Sequence, residues 1–198
     1  MTVDQSSPAG LDGATETVSF SGSVARYNIS IPDYYRANPD VSALIVGAVV
    51  FCGDEILLIQ RAASDFAGLK WEVPGGCCEG DKDGTVLSGV ARELLEETGL
   101  RLRSVRRLVD EADFEDHQKA NFTWRKVTFE VDVEEGHTLA LAERKAAITA
   151  AVRLDPDEHE DWGWATQDEV QRGQWSKGTL DSMLLQRQSI LEAFQTRT

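Results

Sequence analysis

Two segments decide the fold of this chain: Gly75-Gly76-Cys77-Cys78-Glu79-Gly80 and Arg92-Glu93-Leu94-Leu95-Glu96-Glu97-Thr98-Gly99-Leu100. The glycine pair predicts a tight turn, because glycine adopts backbone conformations that side chains forbid. After Thr85 the apolar residues recur at helical spacing: Val86, Leu87, Val90, Ala91, Leu94 and Leu95. Gly99 follows them at the place where a helix commonly ends in a left-handed glycine. The stretch therefore predicts a turn, an acidic loop and one amphipathic helix.

The polar side of this predicted helix carries three glutamates. Glu93 precedes Glu96 by three residues and Glu97 by four, so the three side chains project from neighbouring positions on one surface. Like charges at this spacing repel each other. A hard divalent cation such as Mg²⁺ takes oxygen ligands and would turn that repulsion into coordination. A solvated acidic helix face is the alternative interpretation of the same residues.

The two segments together resemble the Nudix box of the Nudix hydrolases, G-x5-E-x7-R-E-U-x-E-E-x-G-U with U aliphatic. The second half matches at every fixed position: Arg92, Glu93, Leu94, Glu96, Glu97, Gly99 and Leu100. The first half departs, because sixteen positions lead from Gly76 to Arg92 where the box has fourteen, and Gly84 stands at the offset of the box glutamate. Three loop carboxylates are candidates to replace that glutamate: Glu79, Asp81 and Asp83.

The resemblance implies an α/β fold, the Nudix α/β/α sandwich, in which a mixed β-sheet lies between the box helix and a C-terminal helix. We expect this domain to span residues 42–198. By the same resemblance, a Mg²⁺ or Mn²⁺ ion is expected to bind to the family's metal ligands: Glu93, Glu96, Glu97 and the carbonyl of Gly75. Arg92 is expected to orient a carboxylate, and Gly76 to contact the substrate.

The general base is open among several residues. Some Nudix enzymes use a box glutamate, which here means Glu96 or Glu97, and others use a glutamate from a loop after the central strands. Glu158 and Glu160 occupy that later loop, and His159 between them has an ordinary pKa near neutrality, about 6.5. We favour Glu158. An acidic surface loop in an acidic protein is the alternative interpretation.

Two residues outside the box also have two interpretations each. Arg61 ends a predicted strand, and in Nudix enzymes a basic residue at this place often contacts substrate phosphate. A surface salt bridge is the alternative for Arg61. Trp71 precedes the proline and the glycine pair, as in the family, and we interpret it as a core residue rather than a platform for a base.

Composition limits the possible partners. The chain has 198 residues and a formal net charge of −14, which argues against nonspecific binding to nucleic acid. It does not argue against phosphate substrates, because a bound metal ion supplies local positive charge. The sequence contains neither a membrane-spanning apolar run nor a signal-peptide pattern. Its three cysteines form no disulfide or zinc pattern, so we expect a cytoplasmic protein.

The remaining segments are predicted from their patterns. We expect residues 1–20 to form a mobile tail and residues 21–41 to pack on the domain or on a partner subunit, which leaves a homodimer open. Five segments are predicted as strands: residues 41–51, 55–61, 100–114, 121–133 and 162–166. Residues 134–152 are compatible with helix, loop or strand. Thr166 is predicted to cap a short helix through Glu169. Residues 177–196 are predicted to form a terminal helix.

These features predict a metal-dependent pyrophosphohydrolase that acts on a nucleoside diphosphate linked to another group. Diphosphates without a nucleoside, such as isoprenyl diphosphates, are the alternative substrates. Two other classes stay open: a Nudix-fold module that binds nucleotide without hydrolysis, and an interaction protein whose acidic helix face is only solvated.

Overall fold

A computed structural model of the chain describes residues 18–116 and 118–197. The strands are β1 (Ser19–Phe20), β2 (Ala43–Cys52), β3 (Glu55–Arg61), β4 (Trp71–Glu72), β5 (Leu102–Glu115), β6 (Thr123–Val133), β7 (His159–Thr166), β8 (Gln174–Trp175) and β9 (Gly178–Thr179). The helices are a 3-10 helix (Gly22–Tyr27), α1 (Ile31–Ala37), α2 (Val86–Thr98), α3 (Leu141–Ala151), α4 (Gln167–Arg172) and α5 (Leu184–Gln195).

Seven strands form one sheet in the order β1-β5-β6-β2-β3-β4, and β7 also pairs with β3. β2 runs parallel to β6 and antiparallel to β3, so the predicted mixed sheet is confirmed. β2 is central because its run of β-branched and small apolar residues suits a strand that is buried on both faces.

Helices cover both faces of the sheet. Alternate residues of β2 point to opposite sides, so Val46 packs in the same cluster as Leu94 of α2, while Val49 packs in the cluster that contains Ile190 of α5. The predicted α/β/α sandwich is therefore confirmed. Within the described ranges, no helix is long and apolar enough to cross a bilayer.

The box helix has the predicted ends. Thr85 is its N-cap, and the Thr85 side chain accepts a hydrogen bond from the Ser88 N–H while the Ser88 side chain accepts one from the Thr85 N–H. Gly99 follows the last turn in the left-handed conformation, with φ of 71°. These two caps fix where the helix begins and ends, and thus where its glutamates lie relative to the glycine turn.

The N-terminal segment packs on the same face as α2. Val24, Tyr27, Ile31 and Tyr34 are buried in the core cluster of that face. The Tyr27 ring meets the edge of Phe129 at a centroid distance of 4.9 Å. Of the tail predicted over residues 1–20, residues 1–17 lie outside the described residues. Ser19–Phe20 form strand β1, which pairs with β5.

Other predicted elements differ in their bounds. The open segment 134–152 contains helix α3, and Thr166 caps α4 through Glu169 as predicted. The terminal helix begins at Leu184 rather than near position 177, because residues 174–179 form the β8–β9 hairpin, in which Gly178 has a φ of 103°. β7 begins at His159, three residues before the predicted strand. This earlier start brings the late acidic loop, which comprises Glu158, His159 and Glu160, against β3.

Candidate active site

The glycine turn lies directly against strand β2. The Val46 N–H donates to the Gly76 carbonyl at 2.9 Å, and the Ala48 N–H donates to the Pro74 carbonyl at 2.7 Å. A Cβ atom at position 75 would lie 2.0 Å from the Val46 carbonyl oxygen, so only glycine fits there. The turn is thus fixed to the centre of the sheet, and it lies next to the box-helix residues Glu93 and Glu97.

Glu93 lies over Gly76. A Cβ atom at position 76 would meet the Glu93 carboxylate at 2.7–2.9 Å, so this glycine leaves the space that the carboxylate fills. Glu93 is 8% exposed, and Arg92 lies 2.8 Å from its Oε1. Burial raises the pKa of Glu93 to about 7, although the Arg92 guanidinium acts in the opposite direction.

Glu97 is buried more deeply, with 4% of its surface exposed. Its Oε2 accepts a hydrogen bond from the Gly75 N–H at 2.6 Å. Burial raises the pKa of Glu97 well above its usual value, and the neighbouring carboxylates of Glu72, Glu93 and Glu158 add to the rise, while the Gly75 N–H opposes it. A solvated acidic face therefore describes neither Glu93 nor Glu97.

Glu96 is the exposed member of the three, and its Oε2 accepts a hydrogen bond from Arg92 at 2.8 Å. The Arg92 guanidinium also donates to both oxygens of Asp83, at 2.8 and 2.9 Å, and to the Cys77 carbonyl at 2.9 Å. Among the three loop carboxylates left open by the sequence, Asp83 is the one that pairs with Arg92. It is buried, whereas Asp81 is exposed and Glu79 pairs with Lys82.

Sequence reasoning missed two buried charges in the domain interior, Glu72 and Lys126. The Glu72 carboxylate accepts hydrogen bonds from Arg61 at 2.6 Å and from Gln186 at 2.9 Å. Burial acts to raise the pKa of Glu72, but its neighbours His159, Arg61 and Lys126 outweigh it and lower that pKa. A glutamate directly before Val-Pro-Gly-Gly was the available signal for this residue.

Lys126 lies on β6 and is buried. Burial lowers its pKa to about 8, against the effect of Glu72 and Glu97. A lysine is almost never fully buried unless it is paired, so a lysine inside an apolar strand was the signal. Lys126 thus adds a buried positive charge that interacts with the charges of both Glu72 and Glu97.

Arg61 makes its contacts within the chain. Besides Glu72, it forms an ion pair with Asp65 and donates to the Phe66 carbonyl at 2.8 Å. The salt-bridge interpretation describes these contacts, and a contact with substrate phosphate stays a prediction. Trp71 is buried and meets the edge of Trp175 at 4.4 Å, so its interpretation as a core residue is confirmed.

The late loop reaches the box helix. Ligand atoms of Glu97, Glu158 and His159 all lie within 4.8 Å of one another. The Ala62 N–H donates to the Glu158 carbonyl at 2.8 Å, and the pairing of β3 with β7 shifts register between Gln60 and Arg61. Such a bulge re-aims side chains beside a site.

Glu160 has a different environment from Glu158. Its Oε2 accepts a hydrogen bond from the Ala63 N–H at 3.2 Å. The exposed Glu158 side chain is the one that the loop places beside Glu97. Of the three candidates in this loop, the structure thus brings Glu158 and His159, not Glu160, to the box.

The residues present fit a hard divalent cation. Glu93, Glu96 and Glu97 offer carboxylate oxygens, which are the ligands that Mg²⁺ prefers. The raised pKa values of Glu93 and Glu97 show that their negative charges lack full compensation from the chain. A bound cation would supply that compensation.

An α/β/α sandwich with glutamates of one helix held against a glycine turn defines a Nudix-type site. A family model described as the NUDIX domain matches residues 41–186. The chain therefore belongs to the Nudix family, whose hydrolases act on diphosphate bonds, and the resemblance seen in the box is confirmed.

One curated relative is a MutT-like protein of Streptomyces ambofaciens, 39% identical over 74 residues, which are 37% of this chain and 44% of the relative. The match thus spans less than half the length of that relative. A MutT NUDIX hydrolase structure from Burkholderia pseudomallei has a TM-score of 0.55 at 21% identity, over 79% of this chain and 98% of that chain. The NUDIX domain of Shewanella oneidensis NrtR, crystallised with ADP ribose, has a TM-score of 0.56 at 20% identity, over 84% and 98%.

Proposed function

We propose that this protein is a pyrophosphohydrolase that requires Mg²⁺ or Mn²⁺ and cleaves a nucleoside diphosphate linked to another group. The observation that carries the proposal is the placement of two buried glutamates, Glu93 and Glu97, against the glycine turn, with Glu158 of a distant loop beside Glu97. A chain that did not use these charges would gain stability by replacing them with neutral residues.

In this proposal the cation is held by the three box glutamates and the Gly75 carbonyl. When bound, such an ion neutralises charge on a diphosphate and makes water more acidic. The Gly75 N–H holds Oε2 of Glu97 and leaves its Oε1 for a ligand. Arg92, itself held by Asp83, fixes the orientation of Glu93 and Glu96.

Glu158 takes the proton of the attacking water in this proposal. Water adds to a phosphorus atom, the bridging P–O bond breaks, and the leaving phosphate carries the bond electrons away. The products are a nucleoside monophosphate and a phosphorylated remainder. An exposed carboxylate beside a buried one suits this role, because the water proton can pass to solvent afterwards.

The nucleoside part of the substrate is supported by the NrtR domain, whose structure was solved with ADP ribose. The net charge of −14 supports a small-molecule substrate rather than nucleic acid. A cytoplasmic location and a homodimer remain part of the proposal drawn from the sequence.

The test is product release from a panel of diphosphates with Mg²⁺, with Mn²⁺ and with EDTA. The panel includes ADP-ribose, NADH, dinucleoside polyphosphates, nucleoside triphosphates, nucleotide sugars and isoprenyl diphosphates. We expect metal-dependent cleavage of one nucleoside-containing class. Cleavage of isoprenyl diphosphates alone would overturn the substrate class, and metal-dependent nucleotide binding without cleavage would make the chain a binding module.

A further inference from the structure

His159 is a buried side chain whose need for hydrogen-bond partners is not met. It is the first residue of β7 and is 2% exposed. Within the part of the chain that the structure describes, neither of its ring nitrogens has a hydrogen-bond partner. Buried polar atoms are almost always partnered, so an imidazole in this state calls for an explanation.

The two carboxylates nearest to His159 lie just outside hydrogen-bond distance of it, although the imidazole is close enough to lower the pKa of Glu72. Its Nε2 lies 3.6 Å from Oε1 of Glu72 and 3.8 Å from Oε1 of Glu97, both beyond hydrogen-bond distance. Oε1 of Glu72 already accepts a hydrogen bond from Arg61, and its Oε2 accepts one from Gln186. Glu97, in contrast, uses only Oε2 for the Gly75 N–H, so its Oε1 faces the imidazole.

A third ligand completes the group. Ligand atoms of Glu97, Glu158 and His159 lie within 4.8 Å of one another. A metal–ligand bond of about 2.0–2.4 Å places two ligands of one ion at most about 4–5 Å apart, so this spacing suits a single cation after a small adjustment. The group combines two oxygens with one imidazole nitrogen, a ligand that suits transition metals better than magnesium.

We propose that Glu97, Glu158 and His159 form a cation site in which the imidazole is a direct ligand, so that the protein binds Mn²⁺ more tightly than Mg²⁺. The box resemblance supplies oxygen ligands alone, and the nitrogen ligand goes beyond it. The inference rests on the proposed function, because Glu97 belongs to both ligand sets. Glu158 has a second oxygen for the proton transfer proposed above.

The decisive measurement is pulsed electron paramagnetic resonance of Mn²⁺ bound to the full chain. A directly bound imidazole gives a nitrogen coupling, and labelling the histidines with ¹⁵N changes that coupling in a defined way. The chain has three histidines, so the variant His117→Asn/His137→Asn leaves His159 as the only one. We expect the coupling in the unsubstituted protein and in this double variant.

The matched substitution is His159→Asn, with circular dichroism to verify its fold. We expect it to lose the nitrogen coupling and to weaken Mn²⁺ binding by about tenfold or more in calorimetry, while Mg²⁺ binding changes less. If His159→Asn does not fold, the double variant still decides, because a coupling that changes when its histidine is labelled with ¹⁵N can come only from His159.

Two outcomes would overturn the inference in different ways. Tight Mn²⁺ binding without a nitrogen coupling would remove His159 from the ligands and leave the proposed hydrolase intact. An absence of Mn²⁺ and Mg²⁺ binding altogether would overturn both the ligand set and the metal-dependent function.

Discussion

Glu96 and Glu97 are neighbours on one helix, yet they lie in opposite environments. Glu96 is exposed and pairs with Arg92 at 2.8 Å. Glu97 is 4% exposed, accepts the Gly75 N–H, and lies among Glu72, Lys126 and His159. The box motif alone assigns both residues the same expected role, that of a metal ligand. The difference teaches that burial separates them: the Glu96 carboxylate pairs with Arg92 at the surface, whereas burial raises the pKa of Glu97 well above its usual value.

The comparison predicts that Glu97→Gln has the largest effect. We expect turnover to fall by about 10³-fold, because the neutral amide is a poor ligand for the proposed cation. Folding should be retained, since the amide oxygen can still accept the Gly75 N–H and a buried charge is removed. Turnover and thermal unfolding are the measurements. Glu96→Gln is the matched control, with a smaller loss, and full turnover in a folded Glu97→Gln protein would remove Glu97 from the catalytic role.

The late loop offers the second test of the comparison. Glu158→Gln should lower kcat by about 10²-fold without loss of stability, because an exposed general base is removed. Steady-state kinetics at several pH values measures the effect. Glu160→Gln is the control, since its carboxylate binds the Ala63 N–H instead. An equal loss of kcat in both variants would contradict the choice of Glu158.

The pairing of the exposed Glu96 with Arg92 is expected to depend on Asp83, which also binds Arg92. Asp83→Asn should lower turnover by about tenfold, because Arg92 would no longer be held in place beside Glu93 and Glu96. The buried pair should also contribute to stability, so we expect a loss of about 1–3 kcal/mol in urea unfolding. Asp81→Asn in the same loop is the control. Identical behaviour of the two variants would show that the pair with Arg92 has no role in orientation.

The smallest expected effect is a pH dependence of stability in the metal-free protein. The pKa of Glu93 is raised to about 7 in the folded state, so the folded protein binds more protons than the unfolded chain between about pH 4.5 and 7. The free energy of unfolding should therefore fall as pH rises through this range. Urea unfolding in EDTA measures it.

Glu93→Gln provides the control for that measurement. Because this variant lacks the Glu93 carboxyl group, its unfolding free energy should depend less steeply on pH. Added Mg²⁺ should likewise flatten the profile by favouring the charged form of Glu93. An unfolding free energy that rises from pH 5 to 7 in the unsubstituted protein would contradict the environment described for Glu93.

Local patterns predicted the parts of the fold that depend on neighbours in sequence. The C-terminal Gly99 of the box helix, the apolar run of β2 and the N-cap Thr166 all act within a few residues, and all are present. The terminal helix was predicted too long, because the β8–β9 hairpin interrupts a segment whose apolar spacing is compatible with helix.

The contacts between site residues from distant segments could not be predicted from local sequence patterns. Three carboxylates of one loop were equivalent as partners of Arg92, and only the path of the chain selects Asp83. Glu72 and Lys126 come from β4 and β6, which are distant in sequence. Lys126 nevertheless lowers the pKa of Glu72, because the sheet brings these distant strands close together, which is a tertiary relation.

The segment before the matched domain has a consequence for handling the protein. The family match begins at residue 41, but Val24, Tyr27, Ile31 and Tyr34 are buried in the core cluster of the α2 face. A recombinant fragment cut at the family boundary would expose the apolar surface that these side chains cover, including the ring of Phe129. The unit that must be expressed for a soluble preparation is therefore longer than the unit that defines the family.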